Sequence, residues 1–130
     1  MDPRSNMFLR YALLADAIAS GATGLLLIAG AGLLAGLLGL PTALMREAGL
    51  LLIPYVAFVA YVGTRETISR AAVQAIIVLN LLWVAGSIAL IGSSFVAPTA
   101  FGYAFVIFQA VVVGVFAELQ LIGLRRAATA

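Results

Sequence analysis

The chain contains no cysteine and no histidine, and only 9 % of its 130 residues carry a charge. Without cysteine there is no disulfide, no thiol redox chemistry and no thiolate ligand for a metal. Without histidine the chain also lacks the side chain that most zinc, copper and haem sites use. No nucleophile or phosphate-binding motif is present either. We therefore expect no metal, no cofactor and no catalytic residues, and the sequence leans towards a protein that is not an enzyme.

Apolar residues are what the chain has in abundance. They make up 65 % of it, and the mean hydropathy is +1.20. Soluble domains are closer to half apolar and a quarter charged, so this composition predicts an integral membrane protein. The net charge of +2 is small, and all seven basic residues are arginines that flank apolar runs. We expect the lipid bilayer as a partner, together with further copies of the chain or another membrane protein, and no nucleic acid.

Charged residues divide the sequence into apolar stretches of spanning length. Because about 20 helical residues cross the hydrocarbon, the sequence predicts an all-α membrane four-helix bundle that forms one transmembrane domain over 1–130. The predicted spans cover about 8–29, 44–63, 71–92 and 101–123. Asp16 interrupts the first apolar run, so we expect a retained helix there and not a cleaved leader. The remaining segment, 30–40, is predicted to be a short interfacial or re-entrant helix, with one long tilted first helix as the alternative.

The arginines predict the orientation of these spans. With four spans, six arginines lie on one side of the membrane and only Arg46 on the other. Short loops rich in arginine stay in the cytoplasm. We therefore expect both termini in the cytoplasm.

Two acidic residues, Asp16 and Glu118, lie inside the predicted spans. A carboxylate in hydrocarbon costs roughly 2.5–3.5 kcal/mol on insertion scales, so such a residue faces protein or water and is a candidate for function. Counted from Arg10, Asp16 lies about 9 Å inward, and Glu118 lies about 10 Å inward from Arg125. Both therefore fall at a similar depth on the cytoplasmic side.

Other polar residues extend this candidate site. Asn80 and Gln109 fall near the bilayer centre, and Ser20 and Thr23 share one helical face with Asp16. Glu118, in contrast, points away from the face that carries Gln109. The candidate intramembrane polar site comprises Asp16, Ser20, Thr23, Asn80, Gln109 and Glu118.

These residues allow two interpretations. As packing groups they would form hydrogen bonds between helices, in a non-enzymatic accessory, assembly or lipid-interacting membrane component. As coupling groups, Asp16 with Glu118, Asn80 and Gln109 would bind an ion or substrate in a small transporter or channel. An enzyme that uses Asp16 and Glu118 as an acid/base pair is a third hypothesis. Packing predicts a dry, hydrogen-bonded Asp16, whereas transport predicts a water-filled cavity that reaches it.

Several short segments resemble a group of small bacterial membrane proteins with four spans. The segments are Ala15-Asp16-Ala17, the run from Gly24 to Pro41, Pro54-Tyr55, Asn80-Leu81-Leu82-Trp83, Ala117-Glu118-Leu119-Gln120 and Leu124-Arg125-Arg126. The resemblance covers roughly residues 8–126. It implies the inner membrane of a bacterium, and it implies no activity and no functional residues.

Overall fold

The computed structural model describes the backbone of residues 3–129 and the side chains of residues 7–127. Within that range it is helical and contains no strand. The helices are α1 (Pro3–Ala29), α2 (Ala31–Leu38), α3 (Thr42–Thr64), α4 (Arg70–Gly92) and α5 (Ala100–Thr129). Four of them, α1, α3, α4 and α5, are long and apolar enough to cross a membrane. This confirms the predicted fold class, a membrane four-helix bundle with a short helix between the first two spans.

The short helix α2 occupies most of the segment left over after the first span. Gly30 separates α1 from α2, so the alternative of one continuous first helix through residue 40 is wrong. Gly39 ends α2 with φ at +68°, a left-handed conformation that favours glycine because it has no Cβ. The placement of α2 at the membrane interface or as a re-entrant segment stays a prediction.

Thr99 holds the end of α2 against the start of α5. Its hydroxyl donates to the Leu37 carbonyl at 2.8 Å, and its backbone N–H donates to the Leu38 carbonyl at 3.0 Å. The same hydroxyl accepts from the Gly102 N–H at 3.1 Å. One threonine therefore satisfies the last carbonyls of α2 and also caps the first turn of α5.

Long helices that follow one another in the chain run antiparallel, and the four form two well-packed pairs. Helix α1 packs against α3, α4 packs against α5, and α1 and α5 join the two pairs, whereas α3 and α4 barely touch. At the α1–α3 crossing the backbones approach closely, because a Cβ at Gly49 would lie 2.8 Å from the Gly24 carbonyl oxygen. Small residues allow such close packing between membrane helices.

Arginines hold one end of the bundle together, which we call the arginine end. It contains the start of α1, the end of α3, the start of α4 and the end of α5. Arg10 donates to the Gly63 carbonyl at 2.6 Å, and Arg70 donates to the Leu124 carbonyl at 3.0 Å. The Gly63 carbonyl lies in the last turn of α3, where carbonyls have no partner within the helix and carry its partial negative charge, so its contact with Arg10 is favourable. Arg70 joins the start of α4 to the C-terminal part of α5.

Two apolar clusters form the core, one towards each end of the bundle. The cluster at the arginine end comprises Leu9, Leu13, Ala17, Val59, Val62, Ile68, Val73, Ile76, Ile77 and Leu124. The cluster at the opposite end comprises Leu27, Ala31, Leu38, Leu40, Met45, Leu52 and Val106. Tyr55 packs against both clusters, which places it at their boundary. The polar residues described next lie at this boundary.

Candidate functional site

Asp16 on α1 is the centre of a buried polar cluster, with 1 % of its surface exposed. Its Oδ1 accepts a hydrogen bond from Ser20, one turn along the same helix, at 2.9 Å. Its Oδ2 lies 2.6 Å from Tyr55 Oη on α3, 2.7 Å from Gln120 Nε2 on α5 and 3.2 Å from Asn80 Nδ2 on α4. Side chains from all four long helices therefore meet at one carboxyl group. We call these five residues the Asp16 cluster.

The partners of Asp16 also contact one another. Tyr55 Oη lies 2.7 Å from Asn80 Oδ1, and Asn80 Nδ2 donates to Gln120 Oε1 at 3.0 Å. Asn80 and Gln120 are buried, with 4 % and 0 % of their surfaces exposed. Since hydrocarbon offers buried polar groups no partner, they must satisfy one another. At about 0.6 kcal/mol for each hydrogen bond between membrane helices, the interhelical bonds of this cluster contribute about 3 kcal/mol.

A second polar cluster links α4 to α5, and we call it the Trp83 cluster. Trp83 Nε1 donates to Gln109 Oε1 at 2.6 Å, and Gln109 Nε2 donates to Ser87 Oγ at 3.0 Å. Gln109 Nε2 also donates to the Val106 carbonyl at 2.8 Å, and the Ser87 hydroxyl donates to the Trp83 carbonyl at 2.8 Å. Asn80 and Gln109 were expected together near the bilayer centre, and the structure places them in separate clusters.

The structure brings together three of the six predicted site residues, namely Asp16, Ser20 and Asn80. Thr23 donates to the Ala19 carbonyl of its own helix at 2.9 Å. Glu118 is exposed on α5, whereas Gln120, two residues further, is buried in the Asp16 cluster. Residues two apart lie on opposite sides of a helix. Glu118 therefore lies on the opposite side of α5 from the Asp16 cluster and is not part of it.

The depth of a polar residue, counted in residues from the nearest arginine, was predicted less reliably than the helix face on which the residue lies. Asp16 was placed about 9 Å inward from Arg10 and Asn80 about 15 Å inward from Arg70. The two side chains are nevertheless in hydrogen-bond contact. Arg10 lies seven residues after Pro3, where α1 begins, whereas Arg70 is the first residue of α4. The two arginines therefore mark different levels of the bundle.

Sequence reasoning did not include Tyr55 and Gln120 in the site. Gln120 precedes Arg125 by five residues, much as Asp16 follows Arg10 by six, so its depth was a usable signal. Tyr55 gave a weaker signal, because a tyrosine in an apolar run is typical of an interface or a core.

A groove of about 960 Å³ separates α3 from α4, the two neighbouring helices that barely touch. We call it the α3–α4 groove. Its lining is mainly apolar and includes Leu44, Leu51, Phe58, Leu82, Leu90 and Phe105. Ser20, Tyr55 and Asn80 reach its wall, and so does the Trp83 cluster, whereas Asp16 lies behind them and does not line it. Glu47 is the charged residue on the wall.

Comparison with protein-family models, with curated proteins and with solved structures gives no match. The geometry of the two polar clusters and of the α3–α4 groove therefore carries the functional argument.

Proposed function

We propose that this protein is a non-enzymatic integral membrane component that binds lipid, with an acyl chain from the bilayer in the α3–α4 groove. The observation that carries the proposal is an apolar groove of about 960 Å³ between two membrane-spanning helices. Ligand pockets in proteins typically measure roughly 300–1,000 Å³. Leu51 and Leu82 on its rims are 66 % and 63 % exposed, so the groove opens sideways. In a bilayer the material at such an opening is lipid.

The polar groups on the groove wall already form hydrogen bonds with other side chains, which favours an apolar ligand. Tyr55 and Asn80 hydrogen-bond within the Asp16 cluster, and Gln109 bonds to Trp83 and Ser87. A polar substrate would have to replace these bonds, whereas a hydrocarbon chain leaves them intact. Asp16 is buried, hydrogen-bonds to side chains of all four long helices and lies behind the wall, which supports a packing role. These contacts favour lipid binding over the alternative of a transporter that uses Asp16 for coupling.

The proposal includes the inner membrane of a bacterium, with both termini in the cytoplasm. Its support is the backbone placement of Arg4, Arg10, Arg65, Arg70, Arg125 and Arg126 at the arginine end, against Arg46 alone near the opposite end. Glu47, near the start of α3, then marks the end of the groove in the outer leaflet. Association with further copies of the chain or with another membrane protein stays a prediction.

A pair of glycines in α4 allows a matched test of lipid binding. Gly86 lines the α3–α4 groove and Gly92 does not, and a Cβ added at either position has no neighbouring atom within 4 Å. The protein is reconstituted with a phospholipid that carries a photoactivatable group in its acyl chain. We expect cross-links to the groove wall in the wild type and in Gly92→Trp, and a several-fold loss in Gly86→Trp, because the indole fills the groove.

Mass spectrometry of the cross-linked peptides locates the lipid. Cross-links at Leu51, Phe58 and Leu82 support the proposal, since these residues line the groove. Ile18 is 74 % exposed and is absent from the groove lining, so it reports ordinary contact with surrounding lipid. Equal cross-linking in Gly86→Trp and Gly92→Trp would overturn the proposal.

A further inference from the structure

The Asp16 cluster has one more short polar contact than its hydroxyl and amide hydrogens can supply. Tyr55 Oη lies 2.6 Å from Asp16 Oδ2 and 2.7 Å from Asn80 Oδ1. Both distances are typical of O–H···O hydrogen bonds, yet a tyrosine has a single hydroxyl hydrogen. Ser20, Asn80 and Gln120 each donate to other atoms of the cluster. One of the two contacts of Tyr55 therefore needs a hydrogen from elsewhere.

Exchanging the nitrogen and oxygen of the side-chain amides of Asn80 and Gln120 does not supply the missing hydrogen. With its nitrogen and oxygen exchanged, Asn80 would place its oxygen 3.2 Å from Asp16 Oδ2 and 3.0 Å from Gln120 Oε1. Turning Gln120 as well would place its oxygen 2.7 Å from Asp16 Oδ2. If Asp16 is ionised, every orientation leaves at least one pair of oxygens in contact without a hydrogen between them.

We propose that Asp16 is a proton-binding site that holds its proton on Oδ2 and donates it to Tyr55 Oη. Tyr55 then donates to Asn80 Oδ1, and Asp16 Oδ1 is the carbonyl oxygen that accepts from Ser20. All six short contacts of the cluster then contain one hydrogen each. A neutral acid also avoids the cost of a charge within the hydrocarbon. This inference is independent of what fills the groove.

The groups that face Asp16 come from every helix packed around it. They are Ser20 on α1, Tyr55 on α3, Asn80 on α4 and Gln120 on α5, and Tyr55 is the only other titratable group among these contacts. None of the four is a cation, so no ion pair favours the carboxylate. Tyr55 also lines the α3–α4 groove. Loss of the proton would therefore remove a hydrogen bond of Tyr55 at the wall of the groove.

Because the chain has few aspartates, the protonation state of Asp16 can be measured directly. The chain contains two aspartates, Asp16 and Asp2, and Asp2 lies outside the described residues. In Asp2→Asn protein, made by cell-free synthesis with aspartate labelled at its side-chain carboxyl carbon, Asp16 is the one labelled site. We expect its resonance in lipid nanodiscs at neutral pH to have the chemical shift of a protonated acid. The reference for the ionised form is a labelled aspartate in a short peptide, and a resonance at that position would overturn the proposal.

Infrared spectroscopy identifies the oxygen that carries the proton. If Oδ1 is the carbonyl oxygen, Ser20→Ala removes its hydrogen-bond donor, and the carbonyl stretch of the acid moves to higher frequency. Thr23→Val removes a hydroxyl from the same face of α1 that bonds only to its own helix, so it is the matched control and leaves the band in place. A carbonyl band that is unmoved in folded Ser20→Ala protein would overturn the assignment of the proton to Oδ2. The Asp2→Asn measurement does not depend on how well Ser20→Ala folds.

Discussion

Tyr55 Oη on α3 and Asp16 Oδ2 on α1 lie 2.6 Å apart, although 39 residues separate them in the chain. The same hydroxyl lies 2.7 Å from Asn80 on α4. Since α3 and α4 make little other contact, Tyr55 is the main polar connection between the two sides of the groove. Its hydroxyl therefore contributes both to the stability of the bundle and to the shape of the groove.

Replacing Tyr55 by phenylalanine removes that hydroxyl and keeps the ring. We expect the free energy of unfolding to fall by about 1 kcal/mol, because two hydrogen bonds between helices at about 0.6 kcal/mol each are lost. Unfolding of the protein in bicelles by steric trapping measures the change. Tyr61→Phe is the control, since Tyr61 is 60 % exposed and contacts Arg65 through its ring. Equal stability of Tyr55→Phe and wild type would contradict the geometry of the cluster.

Asparagine and leucine at position 16 should have very different effects. Asp16→Asn keeps an oxygen that accepts from Asn80 and Gln120, so we expect it to fold with a loss of about 0.6 kcal/mol for one missing hydrogen bond. Asp16→Leu leaves buried donors without an acceptor, and its cost should be on the order of 3 kcal/mol. Denaturation in mixed micelles compares the variants. The same two changes at Glu118, which is exposed, should alter stability little, and similar losses at both positions would argue against a central role for Asp16.

The single tryptophan of the chain reports on the second polar cluster. Trp83 Nε1 donates to Gln109 Oε1 at 2.6 Å, so Gln109→Leu removes the partner of the indole N–H. We expect the fluorescence emission of Trp83 to shift to shorter wavelength, since its surroundings become less polar. Gln74→Leu, at an exposed position on α4, the helix that carries Trp83, should leave the emission unchanged. Identical spectra for wild type and Gln109→Leu would show that this contact does not form.

The proposed orientation can be tested with one cysteine at each end of the bundle, because the chain has none of its own. Thr67 and Ser94 are both exposed and lie between helices at opposite ends. With both termini in the cytoplasm, a membrane-impermeant thiol reagent should label Ser94→Cys in intact bacterial cells. It should label Thr67→Cys only after the cells are opened. The reverse pattern would show that the termini are outside.

The helices could be predicted well because the rule that produces them is local. Backbone groups in hydrocarbon must bond within their own helix, so an apolar run of sufficient length predicts a span wherever it packs. Asp16 could also be recognised from the sequence alone, since a carboxyl group inside an apolar run is rare and costly. These are properties of single segments, and they require no knowledge of neighbouring helices.

The partners of Asp16 depend on which helices pack together, and no single segment contains that information. Gln109 and Asn80 looked equivalent by depth, yet Asn80 faces Asp16 and Gln109 faces Trp83. Tyr55 looked like an ordinary core or interface residue, because a tyrosine satisfies both roles. The groove was not predicted at all, since it results from the weak contact between α3 and α4 and not from any residue pattern.

The arrangement of the helices in two pairs has a mechanical consequence. The close approach of Gly24 and Gly49 fixes α3 to α1, and α4 is fixed to α5 by extensive packing. The two pairs meet where α1 contacts α5 and where α2 contacts both α3 and α5. Between α3 and α4 the hydrogen bond from Tyr55 to Asn80 is the polar link across the groove. Any widening of the groove would therefore have to break that bond while leaving the packing inside each pair intact.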